Sequence, residues 1–291
     1  MAMVETAESR RWITVMVYGL LIFFAIITLV PFAYLICGAM KSKDVFFDGQ
    51  FLPGGDGFLG VNWGGLTFEN FRNLFVNPNF SFARSIVNSL FYASVSSVLA
   101  TLFSAMGGYA LAKFRFRWNG LLTGLVLAAL IIPGPLLLAP LYQLLFRMGI
   151  LNSYAGLILP AIAPAFGVFL FRQAMLKSVP LELMEAARID GCGEIRIFFS
   201  VVLPLVRPMV GAFLLITFLG AWNNFIWPQI VLQTPELFPL AVSIAQLKGI
   251  YSTDYGLLMA GTLVSILPVM ALFLMLQREF ISGLTSGAVK G

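Results

Sequence analysis

Residues 172–207 read RQAMLKSVPLELMEAARIDGCGEIRIFFSVVLPLVR, a polar island between two long apolar runs. Pro180 suits the first position of a helix, where its missing N–H costs no hydrogen bond. From there Leu181, Met184 and Ala187 recur on one face with Leu183 and Ala186 beside them, while Glu182, Glu185 and Arg188 form a polar stripe. The acids lie toward the helix start, where they meet the positive end of its dipole. Gly191 can take the left-handed conformation that closes a helix, and a second amphipathic helix is predicted from Gly193 to just before Leu203 and Pro204. The pattern predicts a helix–turn–helix on the inner surface of a membrane. Small Ala186 and Ala187 and acidic Glu182, Glu185 and Asp190 suit docking to a protein bearing Arg or Lys. The same amphipathicity equally suits a hairpin lying flat on lipid.

Outside this island the chain is built for a bilayer. Of its 291 residues 59% are hydrophobic and 11% charged, against about 25% charged in an ordinary soluble domain, and its mean hydropathy is +0.92. About 20 apolar residues cross a hydrocarbon core. Six stretches free of Lys, Arg, Asp and Glu are long enough: 13–40, 85–112, 119–146, 153–171, 208–234 and 255–277. The expectation is therefore an all-α membrane protein, a single domain over 1–291 with six transmembrane helices. The first stretch is too long for the apolar region of a signal peptide and no small-residue cleavage pattern follows it, so it is expected to remain as a helix. Six spans place both termini on one side. With the termini cytoplasmic, Lys41, Lys43, Arg72, Arg84, Arg147 and Lys248 face outward and the other 12 of the 18 Lys and Arg face inward, as the positive-inside rule requires. The turn KFRFR at 113–117, three cations and no anion between two spans, is the strongest mark of the cytoplasmic side.

Composition also excludes chemistry. There is no His, and the two cysteines, Cys37 and Cys192, lie far apart, so His catalysis, His-ligated zinc and a disulfide framework lose their basis; no metal or cofactor is expected. Topology accounts for the net charge of +5 without nucleic acid. No GxxxxGK[ST] loop is present to cradle ATP. Gly55, Gly57 and Gly60 match GxGxxG in form, but Pro53 and Gly54 precede them with no strand leading in, so an external turn is expected. The predicted spans lack the ionisable residues that pumps and proton-coupled carriers use as relays, although sodium held by backbone carbonyls would need none. Pro31, Pro133, Pro135, Pro140, Pro160, Pro164, Pro228 and Pro268 predict kinks. Energy for transport is expected to enter through a partner, with an ion-coupled secondary carrier or channel as the alternative.

EAARIDG at 185–191, followed by Phe198, Leu203-Pro204 and Pro208, resembles the EAA loop of ATP-binding-cassette (ABC) importer permeases of the type I fold. Asn88-Ser89-Leu90, GYALAKF at 108–114, Ile158-Leu159-Pro160, Ala221-Trp222-Asn223 and GLTSGAVKG at 283–291 are similar to the carbohydrate-importer branch, in particular the second permease subunit of maltose-type systems. Cys192 stands where Ala is usual and Val201 where Ile is common. The resemblance implies a bacterial inner-membrane sugar permease that catalyses nothing itself. Its implied partners are a second permease subunit, an ABC ATPase dimer, an extracytoplasmic solute-binding protein, membrane lipid and the sugar. It further implies that Glu185 pairs with an ATPase Arg, that Ala186 and Ala187 pack there, and that Asp190 and Gly191 shape the turn. The terminal segment 281–291 reads from composition as a frayed end; the resemblance implies that Gly283, Leu284, Thr285 and Gly287 reach between ATPase subunits.

Two further segments are candidates on chemistry alone. Trp222, Asn223, Asn224 and Phe225 set aromatic faces and amides beside one another, which suits a sugar path and equally suits interhelical hydrogen bonding with an interface Trp. In the external segment 41–84, Thr67 is predicted to cap a helix with Phe68, Phe71, Leu74 and Phe75 on one face, for contact with a solute-binding protein or with its own span ends.

Overall fold

The computed structural model describes residues 7–76, 81–248 and 253–288. Among them the ordered elements are helices: α1 (Ala7–Ala39), α2 (Glu69–Phe75), α3 (Phe82–Lys113), α4 (Asn119–Ile131), α5 (Leu138–Arg147), α6 (Tyr154–Ile158), α7 (Ala165–Ser178), α8 (Leu181–Ile189), α9 (Glu194–Ile197), α10 (Leu203–Leu205), α11 (Arg207–Trp222), α12 (Ile226–Val231), α13 (Leu240–Gln246) and α14 (Tyr255–Ala288). Helices fit a bilayer because every backbone group is satisfied within the segment. α1, α3 and α14 are each long and apolar enough to cross alone. Three further pairs qualify together, each bent at a short break: 119–131 with 134–147 by 103°, 154–161 with 165–178 by 41°, and 194–205 with 207–222 by 86°. The prolines explain the breaks. Pro133 and Pro135 flank the first, Pro160 and Pro164 the second, and Pro204 and Pro208 the third, where missing N–H groups leave the ladder open.

The chain divides into two compact units, residues 1–77 with 246–266, and 78–245 with 267–291. In the first, α1 is apolar and exposed on all sides over residues 12–34, as a lipid-facing helix must be. The segment after it is pinned by Lys41, only 1% exposed, whose ammonium donates to the carbonyls of Phe46, Gly49 and Gln50. Burial holds the Lys41 pKa below its ordinary value. The Gly55 to Gly60 stretch folds as turns, with Gly60 at φ +69° and Gly55 N–H donating to Gly60 O. Thr67 Oγ accepts from Glu69 N–H at 3.0 Å. The buried side of α2 shares only part of the predicted face: Leu74 turns inward as expected and Phe71 is half-buried, but Asn70 turns inward too while Phe68 and Phe75 are exposed. Asn70 decides this, because its amide donates to the end-of-helix carbonyls of Ala39 and Lys41 at 2.9 and 2.8 Å.

In the second unit, α3 packs along α7 and α11. Two adjacent rows at fourfold spacing are buried on it: Ser85, Ser89, Ala93, Ser97, Thr101 and Ala105, then Asn88, Tyr92, Ser96, Ala100, Ser104 and Gly108. Small side chains let membrane helices approach closely where hydrophobic driving force is weak. Gly108 is the limiting case, since a Cβ there would lie 2.7 Å from Arg172 N and from Phe171 Cβ. Near its N-terminal end α3 is stitched to the segment before α13: Asn88 donates to Glu236 O and Phe238 O and accepts from Tyr154, while Ser89 accepts from Leu240 N–H.

Candidate functional site

The loop 172–207 begins later than its charges suggest, because α7 continues through Arg172 and Lys177 to Ser178. Charged residues end an apolar stretch without ending a helix. Lys113 reaches across from the end of α3 to donate to Val179 O, placing a cation on a carbonyl that terminates α7. Pro180 then sits in extended backbone just before α8, and Glu182 lies in the first turn.

α8 closes with a Schellman motif. Cys192 N–H donates to Ala187 O at 2.9 Å, Gly191 N–H donates to Arg188 O at 3.0 Å, and Gly191 adopts φ +78°, the two-bond pattern with a left-handed residue that satisfies helix-end carbonyls. Met184 is fully buried against a cluster that includes Tyr109, Phe171, Met175, Val179, Ile197 and Phe198, and Ala187 and Cys192 pack at its edge. Arg188 Nε donates to Glu194 Oε1 at 2.6 Å and its Nη2 to Glu194 Oε2 at 3.3 Å, while the Tyr109 hydroxyl donates to Oε2 at 3.0 Å. The Arg188 hydrogen bonds hold the Glu194 carboxyl below its ordinary pKa, against some burial, and raise that of Arg188. The clasp ties α8, α9 and α3 together. After α9 the backbone widens to a π-helical turn over Phe198–Val202, a feature that recurs at functional positions in helices.

This anchoring decides what α8 offers outward. Glu185, Ala186, Asp190 and Gly191 are exposed and Ala187 is half-buried; the small Ala187 side chain therefore serves the chain's own core. Ile189 is 87% and Ile195 77% exposed, so two apolar side chains flank the acids at the turn. Sequence reasoning missed the clasp, because Arg188 and Glu194 are six apart across a turn and match no helical spacing. It also did not mark Ile189 and Ile195.

Trp222, Asn223, Asn224 and Phe225 come apart in space. Trp222 is buried and stacks on Phe218. Asn223 donates back to Leu219 O on its own helix, and Phe225 is exposed. Asn224 is half-buried: it accepts from Trp227 N–H at 3.3 Å, hydrogen-bonds the Tyr92 side chain and lines two cavities. One, about 350 Å³, is walled by Tyr92, Leu138, Leu157, Pro160 and Trp227; the other, about 310 Å³, by Tyr92, Ser96, Phe166, Phe213 and Thr217. Ser96 Oγ is buried without a partner. The backbone of 281–288 continues α14, correcting the frayed-end expectation: after Pro268 no proline interrupts the hydrogen-bond ladder. The side chains of Gly283, Leu284, Thr285 and Gly287 lie outside the described residues, as do 289–291.

A family model described as "Binding-protein-dependent transport system inner membrane component" matches residues 100–281. The arabinooligosaccharides transport system permease protein AraQ of Halalkalibacterium halodurans is 43% identical over 226 residues, covering 78% of this chain and 80% of its own length. The lactose transport system permease protein LacG of Rhizobium radiobacter is 32% identical over 285 residues, covering 98% and 99%. Among solved structures, a chain of a bacterial ABC transporter involved in the import of the acidic polysaccharide alginate superposes with a TM-score of 0.78 at 22% identity, over 95% of this chain and 99% of that one.

Proposed function

The chain belongs to the family of binding-protein-dependent transport system inner membrane components, and from that membership we propose that it is the permease subunit of an ATP-driven sugar importer. The names of AraQ and LacG support a sugar as cargo. In this reading a second permease completes the passage, an ATPase pair hydrolyses ATP, a solute-binding protein delivers cargo from outside, and both termini are cytoplasmic. The helix end at 283–287 then lies on the ATPase side.

The observation that carries the coupling role is the mounting of α8. Met184 and the Arg188–Glu194–Tyr109 clasp fix the helix to the α3–α7 core, while Glu185, Ala186 and Asp190 remain exposed. A helix held on one side and polar on the other passes rigid-body motion from a docked subunit to the spans. Glu185 is the residue expected to meet an ATPase Arg. Replacing it, Glu185→Lys, puts like charges in contact. The expected result is an unchanged amount of protein in the membrane with loss of cargo-stimulated ATP hydrolysis and of uptake. Normal uptake by this variant refutes the docking role.

A further inference from the structure

Beside the clasp, at the same end of α3, lies a cavity of about 380 Å³ bounded by Leu111, Phe114, Arg115, Phe116, Asn119 and Arg172. Its walls carry two guanidinium groups and no carboxylate. Arg172 Nε is buried without a hydrogen-bond partner, and the Arg172 backbone is held against α3 where Gly108 leaves room. A buried guanidinium N–H with nothing to donate to carries a desolvation cost that an anionic acceptor removes. α4 starts at Asn119, so the positive end of a 13-residue helix adds to the local potential. Lys113 is committed to Val179 O, and Arg117 lies over the Trp118 ring, 5.3 Å from its centroid; Arg115 and Arg172 are left to the cavity.

We propose that this cavity binds the headgroup phosphate of an anionic phospholipid of the inner leaflet. The proposal rests on the cytoplasmic placement of the 113–117 turn, which puts the cavity at headgroup level. A basic pocket between spans at that depth has the charge and the position for a lipid phosphodiester, and the apolar Leu111, Phe114 and Phe116 suit the adjoining acyl and glycerol carbons. Asn119 strengthens the choice of lipid. Its amide N–H groups are spent on Leu111 O and Phe114 O, leaving the side-chain oxygen to accept from a headgroup hydroxyl, which phosphatidylglycerol has and phosphatidylcholine lacks. Positive-inside topology alone calls for cations in this turn; it calls for neither a walled cavity nor a buried, unpartnered Arg172.

The test uses the assembled transporter in nanodiscs of phosphatidylcholine doped with headgroup-photoreactive phosphatidylglycerol, and reads the label on this chain. Labelling is expected to exceed that by an equally doped photoreactive phosphatidylcholine. Arg115→Gln, at an exposed position that leaves the core untouched, is expected to lower it about fivefold. Arg172→Gln should lower it as far or further, and Arg147→Gln, on a cation placed outside, should leave it unchanged. Equal labelling by the two lipids overturns the proposal, as does full labelling of both Arg115→Gln and Arg172→Gln. Millimolar inorganic phosphate is expected to compete little; its abolishing the label would mark a free-phosphate site and overturn the lipid assignment. If the transporter proves to carry no sugar, the labelling result stands by itself; if labelling follows the opposite leaflet, the topology behind the proposed function falls with it.

Discussion

The helical chain is interrupted at 190–193 and again at 223–225, and the two interruptions are finished in opposite ways. At the first, the end carbonyls of α8 are satisfied by a Schellman motif, one ion pair with two hydrogen bonds crosses to α9, and Met184 is driven fully into the core. At the second, Asn223 serves only its own helix, Asn224 meets Trp227 N–H over a long bond and hydrogen-bonds the Tyr92 side chain, and cavities of about 350 and 310 Å³ lie alongside. A break that must transmit force has to be stiff, because any play in it is lost motion. A break beside a passage can be compliant, because voids and half-satisfied polar groups are what a passing solute or water fills.

The contrast breaks first at Met184. Met184→Ala leaves a cavity under α8 and should cost about 2–5 kcal/mol, seen as faster amide exchange across 181–197 and as ATP hydrolysis that no longer responds to cargo. Unchanged exchange would mean that the loop is not held by its buried side. A smaller effect is expected at the turn. Gly191→Val forces a branched side chain into φ +78°, a left-handed penalty of about 1–2 kcal/mol, although nothing lies within 4 Å of the added Cβ. Gly193→Ala supplies the control two residues on: φ is −73° and the space equally open, so its coupling should match the parent. If both variants behave alike, backbone conformation at 191 is not what closes α8.

How far the sequence foretold this differs between the two regions for physical reasons. Helix start, helix end and polar stripe in α8 follow from local rules, and the structure places Pro180 and Gly191 at its two ends. The clasp is tertiary: whether Arg188 meets Glu194 depends on the turn angle, and Tyr109 arrives from 85 residues away. The apolar stretches 13–40, 85–112 and 255–277 fall in single helices long enough to cross, because hydropathy is a local property, whereas 208–234 does not stay helical past Trp222 and its helix pairs instead with 194–205. The 103° bend within 119–147 was not legible, since Pro133 and Pro135 mark where a helix can break while packing sets the angle. The double row of small residues on α3 stood in plain view at fourfold spacing, and that period was a usable signal for a buried face. At 222–225 one indole, two amides and a Phe side by side gave no means of telling which face each would occupy; Trp222 turns into the protein, and exposed Asn223 bonds back onto its own helix.

That last point separates the four candidate path residues by experiment, with the smallest effect of the series. Asn224→Ala removes the long bond to Trp227 N–H and the hydrogen bond to the Tyr92 side chain, so its structural cost should be that of one net hydrogen bond, about 1 kcal/mol. If cargo uses the cavities it lines, the same substitution deletes a hydrogen-bond partner for a hydroxyl, and the sugar concentration giving half-maximal uptake should rise about fivefold, one net hydrogen bond's worth. ATP hydrolysis without cargo should not change, because α8 and its clasp are untouched. Asn223→Ala is the matched comparison: its amide already donates to Leu219 O, so half-maximal uptake should stay where it is. Equal shifts from both amides would mean that the 223–225 break acts through its stability, and that the compliant region carries no more cargo contact than the stiff one.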